Sequence, residues 1–164
     1  MKKAISVIAA VALVLAAAGL FAACGSKPAE NKTLDLPGIL SEIAMKVENL
    51  PEETVDLQTD EDLEDYYGLD PALIRSFAIR LDAGGYGEEY VMLEAKDEKC
   101  AYAAATILEQ YCKDKTEEMR DYLPDMFDIF SKTTVDVHGR YVTMFVSAEA
   151  AAMKTIFNAH LTDD

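Results

Sequence analysis

Apolar positions in this chain change their period several times, and each change marks an element. An almost unbroken apolar run from Ala4 to Ala23 comes first, followed by a polar stretch. Ile39, Leu40, Ile43 and Val47 then recur at helical spacing and predict a helix over about Pro37–Val47. Glu52 to Leu57 read as a short extended piece. Thr59-Asp60-Glu61-Asp62 supplies a capping threonine and the acidic first turn of another short helix, which Gly68 ends. Pro71 opens one more helical turn. Alternation of Phe77, Ile79 and Leu81 with Ala78 and Arg80, and of Val91, Leu93 and Ala95 with Met92 and Glu94, predicts two strands. Ala83-Gly84-Gly85-Tyr86-Gly87 between them is turn chemistry, so they should form an antiparallel hairpin. A long helix follows over Glu98–Tyr122, with a core stripe of Cys100, Ala104, Ile107, Leu108 and Tyr111, and Pro124 opens a short helix bearing Met126, Phe127 and Ile129.

The same order then recurs. A strand around Val135 and Val137, a His138-Gly139 turn, a strand from Arg140 to Val146 and a helix from Ala148 to His160 repeat the hairpin and its helix. Tyr90-Val91 aligns with Tyr141-Val142, Leu93 with Met144 and Ala95 with Val146, as a tandem strand-strand-helix unit would. The expected fold is α+β: an antiparallel four-stranded sheet with helices packed on one face, preceded by short N-terminal helices. Parity sends Val91, Leu93, Val142, Met144 and Val146 to the helix side and leaves Ala78, Arg80, Tyr90, Met92, Glu94, Tyr141, Thr143 and Phe145 on the open side. An open antiparallel face is usually polar. This one would expose Tyr90, Met92, Tyr141, Thr143 and Phe145, a candidate partner-binding surface unless the N-terminal helices, a second copy or a ligand covers it.

The first residues change the picture from a soluble domain to an exported one. Lys2-Lys3, the apolar run and Cys24-Gly25-Ser26 are laid out as a secretory signal, and Phe21-Ala22-Ala23-Cys24 resembles a lipobox, with Phe21 in place of the usual Leu. On that reading residues 1–23 are a lipoprotein signal peptide and Cys24 is the lipid attachment point. Residues 24–34 are then a flexible tether and residues 35–164 a single domain. An uncleaved membrane helix is the alternative, since about 18 apolar residues can span a bilayer. Both place the domain outside the cytoplasm, because the two lysines stay inside. Two acyl chains on one sulfur hold a protein to a membrane stably, where one would not.

Of 164 residues, 141 remain after residue 23, enough for one domain. Losing Lys2 and Lys3 leaves 13 basic against 30 acidic residues, a net −17. Such a surface repels phosphate backbones, so a nucleic-acid partner is excluded. Cys100 and Cys112 fall on one predicted helix, about 18 Å apart along its axis, too far for a disulfide. Free thiols suit a reducing or anaerobic setting.

Catalytic signatures are missing: there is no phosphate loop with its Lys, no Gly-x-Ser-x-Gly elbow and no His-Glu-x-x-His helix. His138 occupies a turn and His160 a helix end, and two distant histidines with two thiols do not make a zinc site. Asp60, Glu61, Asp62, Glu64 and Asp65 lack the alternating ligands and central Gly of a calcium loop and read as a solvated helix face. No catalytic residue, metal or cofactor is assigned.

Tyr67-Gly68-Leu69-Asp70, Glu89-Tyr90-Val91, Tyr122-Leu123-Pro124 and Gly139-Arg140-Tyr141-Val142, closing on Ser147, together resemble an uncharacterised family of clostridial-type lipoproteins, domain of unknown function 4358. The resemblance spans about Leu34 to Phe157. It implies a lipobox in front of this domain and a Gram-positive host, and it brings no activity or functional residue with it. The expectation is a lipid-anchored protein on the outer face of the cell membrane, a non-catalytic binding or accessory module whose partners are the membrane and an envelope protein or polymer. An envelope hydrolase using paired carboxylates and a small-solute binding lipoprotein are the alternatives, and the oligomeric state is left open.

Overall fold

Five strands form one antiparallel sheet in a computed structural model that describes residues 33–84 and 87–162. The segment expected to be a signal peptide, Cys24 and the expected tether as far as residue 32 lie outside the described residues. The strands are β1 (Thr54–Leu57), β2 (Ile74–Asp82), β3 (Glu89–Ala95), β4 (Val135–His138) and β5 (Tyr141–Val146), in the order β1-β2-β3-β5-β4. Interspersed are α1 (Leu36–Lys46), α2 (Asp60–Tyr67), a 3-10 turn at Pro71–Leu73, α3 (Glu98–Tyr122), α4 (Pro124–Lys132) and α5 (Ala150–Thr162).

Local chemistry sets most of these boundaries. Thr59 and Asp62 form a reciprocal capping box at the start of α2, and Gly68 ends that helix with φ +66°, a conformation that costs glycine little. Asp97 caps α3 by accepting the Cys100 N–H at 2.8 Å. Pro124 separates α3 from α4 and opens the latter, a position where its missing N–H is harmless. Gly139, at φ +60°, makes the tight turn from β4 to β5. Ser147 accepts the Glu149 N–H at 3.1 Å, a local turn that delays α5 to Ala150.

Parity along the central strands divides the side chains as the alternation predicts. On the first face Val91, Leu93, Ala95, Val142, Met144 and Val146 pack with α2, α3 and α4 through Leu63, Tyr67, Ala104, Leu108, Met126 and Phe130. On the second face Ala78, Tyr90, Met92, Tyr141 and Phe145 pack with α1 and α5 through Leu36, Ile39, Leu40, Ile43, Met153 and Phe157. The sheet is thus sandwiched between two helical layers, with a core on each side.

Three expectations are corrected here. The sheet has five strands, not four, because the extended piece before α2 pairs with the outer edge of β2. The helices occupy both faces, not one: α3, α2 and α4 fill the first face, so the apolar side of α5 finds its place on the other. The face bearing Tyr90, Met92, Tyr141, Thr143 and Phe145 is not open. Those residues are between 0% and 6% exposed beneath α1 and α5, because one amphipathic helix from each end of the domain needs an apolar partner and this face is the one available. In the strands aligned as a tandem pattern, Tyr90 pairs with Phe145 and Tyr141 with Glu94. The pattern breaks at the helices, which leave for opposite faces after links of unequal length.

Candidate functional site

β3 carries a buried carboxylate on each of its faces. Glu89 points to the first face, where the Tyr67 hydroxyl donates to Oε2 at 3.0 Å and the Tyr111 hydroxyl to Oε1 at 2.6 Å. The two rings meet edge to face with centroids 4.8 Å apart. Burial lifts the Glu89 pKa above its ordinary value, and the two phenols only partly offset that. Burial also raises the tyrosines, with Glu89 beside them. Cys112, next in this cluster, is pushed up to about 12 by burial and by Glu89. Its thiol points at the Met144 sulfur, 3.2 Å away. A thiol so placed is no nucleophile.

Glu94 points to the second face, 1% exposed. Arg140 Nε stands 3.0 Å from Oε1 as an ion pair without hydrogen-bond alignment, Ser76 Oγ donates to Oε2 at 3.0 Å, and Arg75 Nε lies 3.7 Å from Oε1. The Arg140 guanidinium also reaches the Tyr141 hydroxyl, which accepts the Leu34 N–H at 3.0 Å. Leu34, expected as the last residue of the tether, is therefore buried and tied to the central sheet.

Open space lies elsewhere. The second face is only partly roofed, since α1 packs on β2 and α5 on β5. Five strands about 4.8 Å apart are wider than two helices packed side by side at 8–10 Å, and a strip over β1 and outer β2 stays uncovered. Two cavities line this strip, of about 390 Å³ and 370 Å³, and both border on Leu40 and Arg80. Arg80 stands between them and grips Asp56 on the neighbouring strand with Nε–Oδ1 at 2.6 Å and a second nitrogen to Oδ2 at 2.8 Å. That fork holds the Asp56 carboxyl below its usual range. The result is a trough alongside α1 whose floor is a satisfied ion pair.

The structure brings Tyr90, Met92, Tyr141, Thr143 and Phe145 together on β3 and β5, as core residues rather than as a surface. Only Tyr90 touches the trough, with its hydroxyl donated to Glu88 at 2.6 Å. Cys24 lies outside the described residues. His160 Nε2 is 2.7 Å from Glu42 Oε2, joining α5 to α1, and His138 ends β4 near the Phe157 ring. Asp62 accepts the N–H groups of Gln58 and Thr59, so this acid of the cluster serves as a cap. Among the described residues no three His, Cys, Asp or Glu side chains gather as a metal site would need, and no helix is long and apolar enough to cross a membrane. The trough was invisible in the sequence, because its walls come from residues 37–44, 49–60 and 74–80, whose nearness only the fold creates.

The sequence model of the family described as Domain of unknown function (DUF4358) matches residues 48–147, from the end of α1 to the end of β5. No curated protein and no solved structure matches the chain.

Proposed function

The chain belongs to the DUF4358 family, and on that footing we propose that it is a lipid-anchored, non-catalytic module on the outer face of the cell membrane, held there through Cys24. One observation carries this reading: the run Ala4–Ala23, preceded by Lys2-Lys3, ends on Phe21-Ala22-Ala23-Cys24-Gly25-Ser26. The finer description as a Gram-positive, clostridial-type lipoprotein belongs to the same proposal. A binding role in place of catalysis is supported by the arrangement of acids. The one described carboxyl whose pKa burial raises, Glu89, is sealed under two phenols away from the trough, and Asp56 in the trough is clamped in its charged form. A hydrolytic carboxylate pair would need an open cleft between an acid and a base.

Metabolic labelling with a fatty acid, followed by fractionation, tests the anchor. The natural chain should take up label at residue 24 and sediment with membranes, and Cys24→Ala should take up none. Recovery of the natural chain from the cytosol with an unmodified Cys24 thiol would overturn the reading.

A further inference from the structure

β1 accompanies only the second half of β2 and leaves its first half without an outer neighbour. Their register runs from Thr54 opposite Asp82 to Leu57 opposite Ile79, while β2 continues along β3 as far back as Ile74. From Arg75 to Ala78, β2 therefore has no strand beside its outer edge among the described residues. The larger half of the trough lies against this edge. Its floor includes Ser76 and Ala78, one wall is Pro37, Leu40 and Ser41 of α1, and the other is Gln58 and Asp60 just past β1. An extended segment laid in line with β1 would lie along this strand-free edge on one side and send alternate side chains into the trough. The uncovered strip is about one strand wide, too narrow for another helix at its usual 8–10 Å spacing.

Charge narrows the occupant further. Both arginines at the trough already face a carboxylate, Arg80 that of Asp56 and Arg75 that of Glu94. Asp60 and Glu52 line the trough and are exposed, with Glu53 and Glu61 beside them in sequence and also exposed. The register irregularity at Arg75 twists the free edge, which discourages sheet-to-sheet growth between copies and suits a short segment. We propose that this trough binds an extended, cationic peptide segment of another protein, which adds to β2 as a strand beyond the end of β1.

This inference rests on the reading of the domain as a binding module but not on its lipid anchor, so each can fail while the other stands. The test uses the full chain in non-ionic detergent and a fluorescein-labelled heptapeptide alternating Lys and Val, followed by anisotropy. Saturable binding is expected, weakened at least tenfold between low and high salt. It should also weaken at least tenfold when alternate peptide nitrogens are methylated, and a Glu-Val heptapeptide should not bind. Ser41→Trp, at an exposed α1 position on the trough wall, should weaken binding tenfold or more while thermal melting stays unchanged. Failure of the Lys-Val peptide to saturate, equal binding of the Glu-Val peptide, or indifference to N-methylation or to a folded Ser41→Trp would each overturn the proposal.

Discussion

Glu89 and Glu94 sit five residues apart on one strand, both buried, and the two faces of the sheet handle them in opposite ways. On the first face Glu89 receives two phenol hydroxyls, and Lys115 acts on it only through space. On the second face Glu94 receives a guanidinium, a serine hydroxyl and a more distant second arginine. Neutral donors leave burial in control, so the Glu89 pKa is raised. A close cation instead offsets the cost of burying a carboxyl group, and then the cation cannot be removed cheaply.

The largest way to break this contrast is Arg140→Met. It leaves the buried Glu94 side chain without its close cation and should cost about 3–5 kcal/mol in urea unfolding, the usual penalty for removing one partner of a buried pair. The double variant Arg140→Met with Glu94→Leu should recover most of that loss; failure to do so would mean that Arg140 matters through packing or Tyr141 instead. Tyr111→Phe removes the shorter of the two hydroxyl donors to Glu89 and should cost about 1–3 kcal/mol. Ser76→Ala takes a single, partly buried hydrogen bond from Glu94, for which about 1 kcal/mol is the ordinary size.

Glu89→Gln sharpens the comparison through pH. The folded state binds this proton more tightly than the unfolded chain does, so the Glu89 contribution is fully present below about pH 4.5, its ordinary pKa, and is lost as pH rises through the higher folded value. Asp56 works in the other direction: its pKa is lowered, so its contribution is present above about pH 3.8 and lost as pH falls through the folded value. Chemical unfolding from pH 4 to pH 8 should show the Glu89→Gln protein gaining on the natural one as pH rises. Parallel curves would show that Glu89 does not titrate differently in the two states. Of all these changes it is the mildest at acid pH.

The elements of this domain were legible because their signals are local. The capping box at Thr59, the stop at Gly68 and the full span of α3 need only neighbours in the chain, and strand parity sorted Tyr90, Met92, Tyr141 and Phe145 from Val91, Leu93, Val142 and Met144 without error. The stripe on α3 came out rotated: Ala101, Ala105 and Cys112 are buried, and Cys100, Ile107 and Tyr111 only partly so. Apolar spacing finds a helix face to within about a residue's turn, and the docking angle decides the rest. The trough was not legible at all, since it is the space left between α1 and β1, and such a remainder has no sequence signature.

By itself the chain determined its periods, its caps and its turns, all of which are written in contacts between near neighbours. Which face each helix would take was decided only in three dimensions. The first face was filled by α2, α3 and α4, and α1 and α5, from opposite ends of the domain, closed over the second because burying Tyr90, Met92, Tyr141 and Phe145 under Ile39, Ile43 and Phe157 removes both apolar surfaces from water.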